Sequence, residues 1–411
     1  MIAQDQTRTA KEAPGQHPGR YMTQKDLGQI KKRLNPQKRN ALMLRGCYVD
    51  PNGNVLTTFK QSVGLVPQED LEKFILLFRK ALSGTQGQNL HPITFSNDQV
   101  ESDEAYGLLS ALNQTELEDD AVAEKLFNSV IDSIREENQA LAQSVDEQLN
   151  SYNHLILLLS DRFDAAYRHG DDPDDPEMRE NTFRYVVCAV CPVVQGKEQL
   201  RYDAQEGRFH TFRPEWQVSA PEVGFMFPSF EQGSANIYQA MYYTKDQSDT
   251  HEEFLKRIFH ADVIMPAQEQ RESVANIIQT ALQEECSMEV VQAVNEKVSE
   301  LIQEQKEDKQ AEPLQFTGKD VRRVLESAGV SEEKLQKVED GMQQVFGESA
   351  EIPAVNMVPT REFKVKTPNV QIRVAPDHAD LVTTKVIDGV KYIMILADGD
   401  VEVNGVNIAI T

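Results

Sequence analysis

Cysteine, tryptophan and long apolar runs are all scarce in this sequence. Its 411 residues include four cysteines and one tryptophan. Because so few cysteines cannot build a disulfide framework, they fit a reducing compartment. No stretch approaches the ~18 consecutive apolar residues of a membrane-spanning helix, and the N-terminus lacks the apolar core of a signal peptide. We therefore expect a soluble, cytoplasmic protein that does not insert into a membrane.

Positive charge is scarce as well. Lys and Arg number 42 against 66 Asp and Glu, which gives a formal net charge of -24. A protein that coats nucleic acid needs clustered Lys and Arg, so this balance excludes nucleic-acid binding over the whole surface and leaves only a local basic patch. Hydrophobic residues make up 40% of the chain, enough to bury a core in two or three domains.

Short apolar runs between residues 155 and 246 set the expected fold. They are rich in Val, Ile, Tyr and Phe and are separated by Gly, Pro and Asp, which predicts the buried strands of one sheet. Helical patterns precede and follow this stretch. We predict an α+β fold: a central, mostly antiparallel sheet with helices covering one face, followed by a helical segment and a C-terminal unit rich in β-hairpins.

Composition divides the chain into four parts. Residues 1–21 contain few apolar side chains and are predicted to form a disordered extension. Residues 22–306 are predicted to form the main α+β domain. Residues 303–313 have no apolar residue except Ala311, which predicts a linker at 307–316, and residues 317–411 are predicted to form a small helical plus β unit.

The last of these parts carries the clearest hairpin signals. Polar and apolar residues alternate between positions 361 and 410, as they do in half-buried strands. The turns Asp388-Gly389 and Asn404-Gly405 separate such runs, and Asp-Gly and Asn-Gly pairs favour two-residue hairpin turns. The sequence therefore predicts several short hairpins close to the C-terminus.

Basic residues concentrate in one predicted helix near the N-terminus. Leu27, Ile30 and Leu34 lie at three- and four-residue spacing, and Thr23 can cap the helix. The other face and the residues after it supply the candidate partner-binding side chains Lys25, Lys31, Lys32, Arg33, Lys38 and Arg39. Such a surface can bind an acidic protein or nucleic acid. The usual behaviour of charge runs favours neutralisation by the protein's own acids instead.

Three candidate catalytic residues follow the predicted strand at 155–159. Asp161, Asp164 and His169 occupy the position where α/β enzymes often carry catalytic groups. Together with the acidic loop at 171–177 they could hold a divalent ion for metal-assisted hydrolysis. No nucleophile motif, phosphate-binding loop or HExxH motif accompanies them, so we favour a solvated loop and assign no catalytic residue.

Cys188 and Cys191 form a CxxC sequence, which is the spacing of redox pairs and of half a zinc site. The pair lies within a predicted strand, where residues three apart point to opposite faces. A second CxxC is also missing. We therefore favour buried structural cysteines, and we expect neither a bound metal nor another cofactor.

Several segments resemble a bacterial family described only as a domain of unknown function, DUF4317. The resemblance covers nearly all of the chain from Met22 and implies that Met22 is the family's usual start. It implies no activity, cofactor or site residue. The segments that carry it include Met22-Thr-Gln-Lys-Asp-Leu27, Arg45-Gly-Cys-Tyr-Val49, Ser219-Ala-Pro-Glu-Val-Gly-Phe225 and Ile387-Asp-Gly-Val-Lys-Tyr-Ile393.

A second resemblance concerns about 40 residues near the C-terminus. The order Phe363-Lys-Val-Lys-Thr367, Val370-Gln-Ile-Arg-Val374 and then a hairpin ending in Ile393-Met-Ile395 is similar to the closing segment of YejK-type nucleoid-associated proteins. It implies that nucleoid association is one function to consider.

Three hypotheses remain open from the sequence. The first, which we favour, is a non-enzymatic interaction protein with an unknown protein partner, in which nucleic acid could bind only through the basic N-terminal helix. The second is a metal-assisted hydrolase that uses the acidic cluster after the strand at 155–159. The third is an acidic mimic of nucleic acid, which would need rows of carboxylates on one rigid face.

Overall fold

The computed structural model describes residues 21–144, 152–164, 182–212, 215–231, 233–308, 311–348, 350–359, 362–397 and 399–409. Residues 1–20 of the predicted extension, His169 and the acidic loop at 171–177 lie outside the described residues. The chain forms two compact units, Met1–Ile264 and Met265–Thr411. The fold is α+β, as the sequence predicts.

The first unit is built on an antiparallel sheet with the strand order β2-β1-β4-β5-β9-β12-β3, and β8 pairs with the end of β5. Two small hairpins, β6-β7 and β10-β11, lie outside this sheet. The strands are β1 Met43–Val49, β2 Val55–Ser62, β3 Leu90–Thr94, β4 Asn153–Asp164, β5 Thr182–Gln195, β6 Gln199–Asp203, β7 Arg208–Phe212, β8 Trp216–Val218, β9 Val223–Phe227, β10 Ser229–Glu231, β11 Ser234–Asn236 and β12 Gln239–Thr244.

Helices cover both faces of this sheet, whereas the sequence pattern predicts helices on one face only. The helices are α1 Gln24–Arg33, α2 Gln68–Lys80, α3 Asn97–Ser102, α4 Glu104–Gln114, α5 Asp120–Ser144 and α6 Glu252–Phe259. Residues of α1 and α2 share a core with Leu157 of β4, and residues of α4, α5 and α6 share another with Leu158. Because neighbouring residues of a strand point to opposite faces, two covered faces make β4 and β5 continuously apolar.

The second unit begins with four helices around a core of its own. These are α7 Ala267–Leu282, α8 Met288–Glu307, α9 Gly318–Ser327 and α10 Glu332–Phe346. Val274 and Ile277 of α7 and Val298 of α8 share this core with Leu335 of α10. The two units divide between Ile264 and Met265, ahead of α7. The linker at 307–316 and the domain bounds around it stay predictions.

Short strands complete the second unit, and all of them pair in twos. They are β13 Gln315–Phe316, β14 Ile352–Pro353, β15 Phe363–Lys366, β16 Gln371–Val374, β17 Val382–Ile387, β18 Val390–Ile395, β19 Val401–Val403 and β20 Val406–Ile408. The turn residues Asp388, Gly389, Asn404 and Gly405 have φ angles of 52°, 79°, 52° and 83°. Left-handed backbone at both central residues is what a type I′ turn requires, so these two predicted hairpins are confirmed.

Candidate interaction surface

Helix α1 holds the basic residues against the first unit. Thr23 caps it by accepting a hydrogen bond from the Asp26 amide, and Leu27 and Ile30 are buried in the core. This anchors one face of the helix and leaves the polar face outward. The six candidate partner-binding residues fall into two groups: Arg33, Lys31 and Arg39 are half-buried or bound within the unit, and the other three are exposed.

Arg33 belongs to the first group. Its Nη2 donates to Asp161 Oδ1 at 2.8 Å and its Nε donates to Asp161 Oδ2 at 3.1 Å, and its guanidinium lies 5.0 Å from the centre of the Phe163 ring. The Tyr185 hydroxyl donates to Asp161 Oδ2 at 2.9 Å. Burial acts to lower the pKa of Arg33, but the hydrogen bond and charge of Asp161 outweigh it and raise the pKa.

Asp161 is therefore fully engaged in a structural ion pair, with only 1% of the residue exposed. Burial, reinforced by the charge of Asp161, raises the pKa of Tyr185 well above its ordinary value. Asp164 lies three residues further along β4, is exposed, and accepts a hydrogen bond from Thr182 Oγ1 at 2.9 Å. Residues three apart in a strand face opposite sides, so the structure does not bring these two carboxylates together. Their catalytic role stays a prediction.

Lys31 is half-buried, and Arg39 is bound to backbone carbonyl groups. Burial, with the nearby charge of Arg79, lowers the pKa of Lys31. Arg39 Nη1 donates to the carbonyl oxygens of Val63 at 3.0 Å and Gly64 at 2.7 Å.

The remaining three candidates are Lys25, Lys32 and Lys38. They are exposed, and they make no ion pair within the ranges that the structure describes. Lys25 and Lys32 are seven residues apart and share one face of α1. They are the part of the predicted basic surface that a partner could reach.

Cys188 and Cys191 point to opposite faces of the central sheet. Cys191 lies in the core beneath α1 and α2, and Cys188 lies in the core beneath α4, α5 and α6. Burial raises the pKa of Cys191 to about 12 and the pKa of Cys188 still further. In this arrangement the two sulfurs cannot bind one ion, and both thiols remain protonated at neutral pH.

A network of two histidines and two glutamates lies at one end of the central sheet. His251 Nδ1 is 3.0 Å from Glu137 Oε2, and His154 Nε2 is 3.8 Å from Glu222 Oε2. Burial acts to lower the pKa of His251, but the hydrogen bond and charge of Glu137 raise it overall. The network links α5, the start of α6 and the start of β4. Sequence reasoning missed it because its members are scattered along the chain and match no motif.

One group in the described part of the chain has the close spacing of metal ligands. Ligand atoms of Asp203, Glu206 and His210, at the tip of the β6-β7 hairpin, all lie within 4.8 Å of one another. Asp203 Oδ1 already accepts the amides of Gln205 and Glu206, and Glu206 Oε2 accepts Arg208 Nε at 2.6 Å. These residues could hold a cation, but their hydrogen bonds are those of a turn.

Among the residues that the structure describes, the most unusual surface lies on the β17-β18 hairpin. Eight large apolar side chains between residues 386 and 396 are 37–64% exposed. Tyr392 and Met394 lie on one face of the hairpin, opposite Lys385 and Thr383, while Ile393 and Ile395 lie on the other. We call residues 386–396 the C-terminal hairpin surface. Because both of its faces are apolar and exposed, it differs from an ordinary half-buried hairpin.

The β6-β7 hairpin of the first unit provides a comparison. Tyr202 and Phe209 pair across it, with ring centres 5.1 Å apart, and are 53% and 65% exposed. On its other face, Arg201 lies 4.9 Å from the centre of the Phe212 ring. This hairpin is therefore apolar mainly on one face, and the C-terminal hairpin surface is the stronger candidate for a binding site.

Sequence reasoning predicted the strands of this hairpin but not their exposure. The available signal was Tyr392-Ile-Met-Ile-Leu396, five consecutive apolar residues in a strand that no helical pattern follows. A strand that is apolar at successive positions needs cover on both faces. In the described residues, this hairpin has no third strand, and Val382 at its base is the one buried residue of its two strands.

Comparison with known proteins identifies the chain at the level of a family. The model of a family described as "Domain of unknown function (DUF4317)" matches residues 22–406, most of the chain. No curated protein matches it. No helix in the described residues combines the length and apolar composition that crossing a membrane requires.

Proposed function

The chain belongs to the DUF4317 family, as its sequence resemblance predicts, and from this premise we propose that it is an interaction protein whose partner binds the C-terminal hairpin surface. The exposure of this hairpin is the observation that carries the proposal. Monomeric proteins rarely expose contiguous apolar patches larger than a few hundred Å² unless those patches bind something. An isolated two-stranded hairpin is also only marginally stable in water, so a bound partner would stabilise β17 and β18.

The alternative of metal-assisted hydrolysis has less support. Among the described candidates, Asp161 is held by Arg33 and Tyr185 and is shielded from solvent. A general base must reach its substrate directly or through one water molecule, and a carboxylate in this position does neither. Asp164 is accessible but lies on the opposite face of β4.

The alternative of an acidic nucleic-acid mimic also has less support, because many acids are neutralised within the chain. Glu116 pairs with Arg162 and Arg184, and Glu136 pairs with Arg257. Mimicry of a phosphate backbone would require regularly spaced, unpaired carboxylates. The resemblance of residues 363–395 to YejK-type proteins makes nucleoid components a partner class worth testing, and Lys25, Lys32 and Lys38 would supply a second, weaker contact to an acidic surface.

Site-specific photo-crosslinking tests the proposal. Tyr392 is replaced by p-benzoylphenylalanine, and the full chain is irradiated in lysate of the native host. Tyr202 serves as the matched control position because it too is an exposed tyrosine on a two-stranded hairpin. We expect a discrete adduct from position 392 that is absent from position 202 and is lost when Met394→Lys is added. Equal adducts at both positions, or none at position 392, would contradict the proposal.

A further inference from the structure

We propose that the partner of the C-terminal hairpin surface is a second copy of this chain, which pairs with it through the free edge of β18 in an antiparallel, two-fold arrangement. This inference rests on the proposed function and identifies the partner of the same surface. The paired strands would form one four-stranded sheet in the order β17-β18-β18-β17. A symmetric contact of this kind closes on itself and gives a dimer.

The edge of β18 is open to such pairing. Its six residues are all exposed, and in the described parts of the chain its pairing partner is β17 alone. An exposed edge strand presents unpaired backbone N–H and C=O groups to another strand. A sheet needs three or more strands to be stable by itself, and pairing two hairpins gives four.

Edge pairing also accounts for apolar residues on both faces. Tyr392 and Met394 lie on one face of the hairpin, and Ile393 and Ile395 lie on the other. A partner packed on one face would leave the other exposed. A neighbouring strand places new side chains ~5 Å away on both faces at once, so it reduces the exposure of both.

Apolar surface is available at the pairing edge itself. Six of the eight large side chains lie on β18 or directly after it and are 37–64% exposed, which supplies several hundred of the ~800 Å² that each partner contributes to a standard protein interface. A dimer that also brings its β19-β20 hairpin into contact has further apolar side chains at Val403, Val406 and Ile408.

Charge restricts both the place and the direction of the contact. The chain carries a net charge of -24, yet residues 382–397 contain two lysines, Lys385 and Lys391, and one acid, Asp388. Two copies can therefore approach here without the repulsion that their acidic surfaces impose. In a parallel, in-register pairing Lys391 would oppose Lys391, which is unfavourable.

The antiparallel arrangement avoids this repulsion. A two-fold axis perpendicular to the sheet keeps each residue on the same face in both copies, so the axis passes beside one residue and pairs it with itself. With the axis at Ile393, Ile393 opposes Ile393, Tyr392 opposes Met394, Lys391 opposes Ile395, and Val390 opposes Leu396 of the second copy. Every cross-strand pair is then apolar or places the lysine stem against isoleucine. Within the hairpin itself Lys391 pairs with Val386 and Ile395 with Val382, so a charge introduced at position 395 meets Lys391 only between copies.

This register gives a test by charge repulsion and rescue, with the full-length chain in analytical ultracentrifugation. We expect the wild-type chain, 46.4 kDa, to form a concentration-dependent dimer. Ile395→Lys should weaken it by roughly tenfold or more, because a lysine then opposes Lys391 at two symmetric places. Adding Lys391→Glu to Ile395→Lys should restore the dimer by creating two opposite-charge pairs.

Leu200→Lys on β6 is the matched control, since Leu200 is 72% exposed on a hairpin of the first unit and should leave the dimer unchanged. Circular dichroism confirms that each variant folds. A wild-type chain that is monomeric throughout the accessible concentration range overturns the inference, as does a dimer that is unaffected by Ile395→Lys or is not restored by adding Lys391→Glu. A monomeric chain that still gives a Tyr392 adduct with another protein overturns only the inference and leaves the proposed function standing.

Discussion

Strand β4 of the first unit and strand β18 of the second are similar in composition but opposite in environment. Residues 155–159 of β4 are at most 9% exposed, whereas the apolar residues of β18 are 37–57% exposed. β4 lies between two strands and beneath helices on both faces, while β18 has one neighbouring strand and no cover. An apolar strand therefore becomes core or exposed surface according to what is packed around it.

The largest expected effect comes from matched isoleucines in these two strands. Ile156 of β4 is fully buried and Ile395 of β18 is 57% exposed. Ile156→Ala should lower the free energy of unfolding by about 2–5 kcal/mol through lost burial and a residual cavity. Ile395→Ala should change it by no more than ~0.5 kcal/mol when the chain is dilute enough to be monomeric.

Urea unfolding, with hydrogen exchange as the readout for each unit separately, measures both changes in unfolding free energy. If the two substitutions cost the same, the contrast between a covered and an uncovered strand would be wrong. Repeating Ile395→Ala at high concentration sharpens the test, since a cost that appears only there belongs to the contact between copies.

A somewhat smaller effect is expected for the buried ion pair of the first unit. Asp161→Asn removes the charge that compensates Arg33, and breaking a buried pair leaves an uncompensated charge. Because the Arg33 side chain is 29% exposed, we discount the usual cost to about 2–3 kcal/mol of unfolding free energy. The exposed control Asp164→Asn should cost less than ~0.5 kcal/mol. If the two variants are equally stable, the conclusion that Asp161 stabilises the fold by pairing with Arg33 is wrong.

Acid should destabilise the first unit through His91. This side chain is 5% exposed, and burial lowers its pKa to about 4 although its hydrogen bond to the Gln88 carbonyl opposes the shift. Below the unfolded-state pKa of ~6.5 the unfolded chain binds a proton that the folded chain does not. Stability should therefore fall by up to about 3 kcal/mol as the pH drops from ~6.5 to 4.

His251 should act with the opposite sign. Its folded-state pKa is raised by Glu137, so its stabilisation is fully present below ~6.5 and is lost as the pH rises through the folded-state pKa. Urea unfolding at a series of pH values checks both, with His91→Gln and His251→Gln as the variants. In a plot of unfolding free energy against pH, His91→Gln should flatten the curve below pH ~6.5. His251→Gln should flatten it above pH ~6.5. Profiles that match the wild type would contradict these assignments.

The smallest effect is expected at the exposed lysines of α1. The double substitution Lys25→Glu and Lys32→Glu should change the unfolding free energy by less than ~0.5 kcal/mol. It should nevertheless weaken any salt-dependent binding of a DNA duplex or an acidic protein, measured by fluorescence anisotropy at low ionic strength. Lys125→Glu, at an exposed position on α5, is the control. Equal losses from both sites would indicate an effect of net charge alone.

Sequence patterns predicted caps and turns correctly but did not predict which distant side chains contact one another. The cap at Thr23 and the turns at 388–389 and 404–405 depend on neighbouring residues, so they could be predicted locally. The partnership of Arg33 with Asp161 could not, because it joins residues 128 positions apart across the packing of α1 on β4.

The same distinction applies to the candidate surface. The run Tyr392-Ile-Met-Ile-Leu396 determined that a strand would be apolar on both faces, as Leu155-Ile-Leu-Leu-Leu159 did for β4. Local residue preferences and turn chemistry suffice for that much, since they act over a few positions. Only the tertiary structure decided that β4 is covered on both faces while β18 is open, because burial depends on which distant elements pack against a strand.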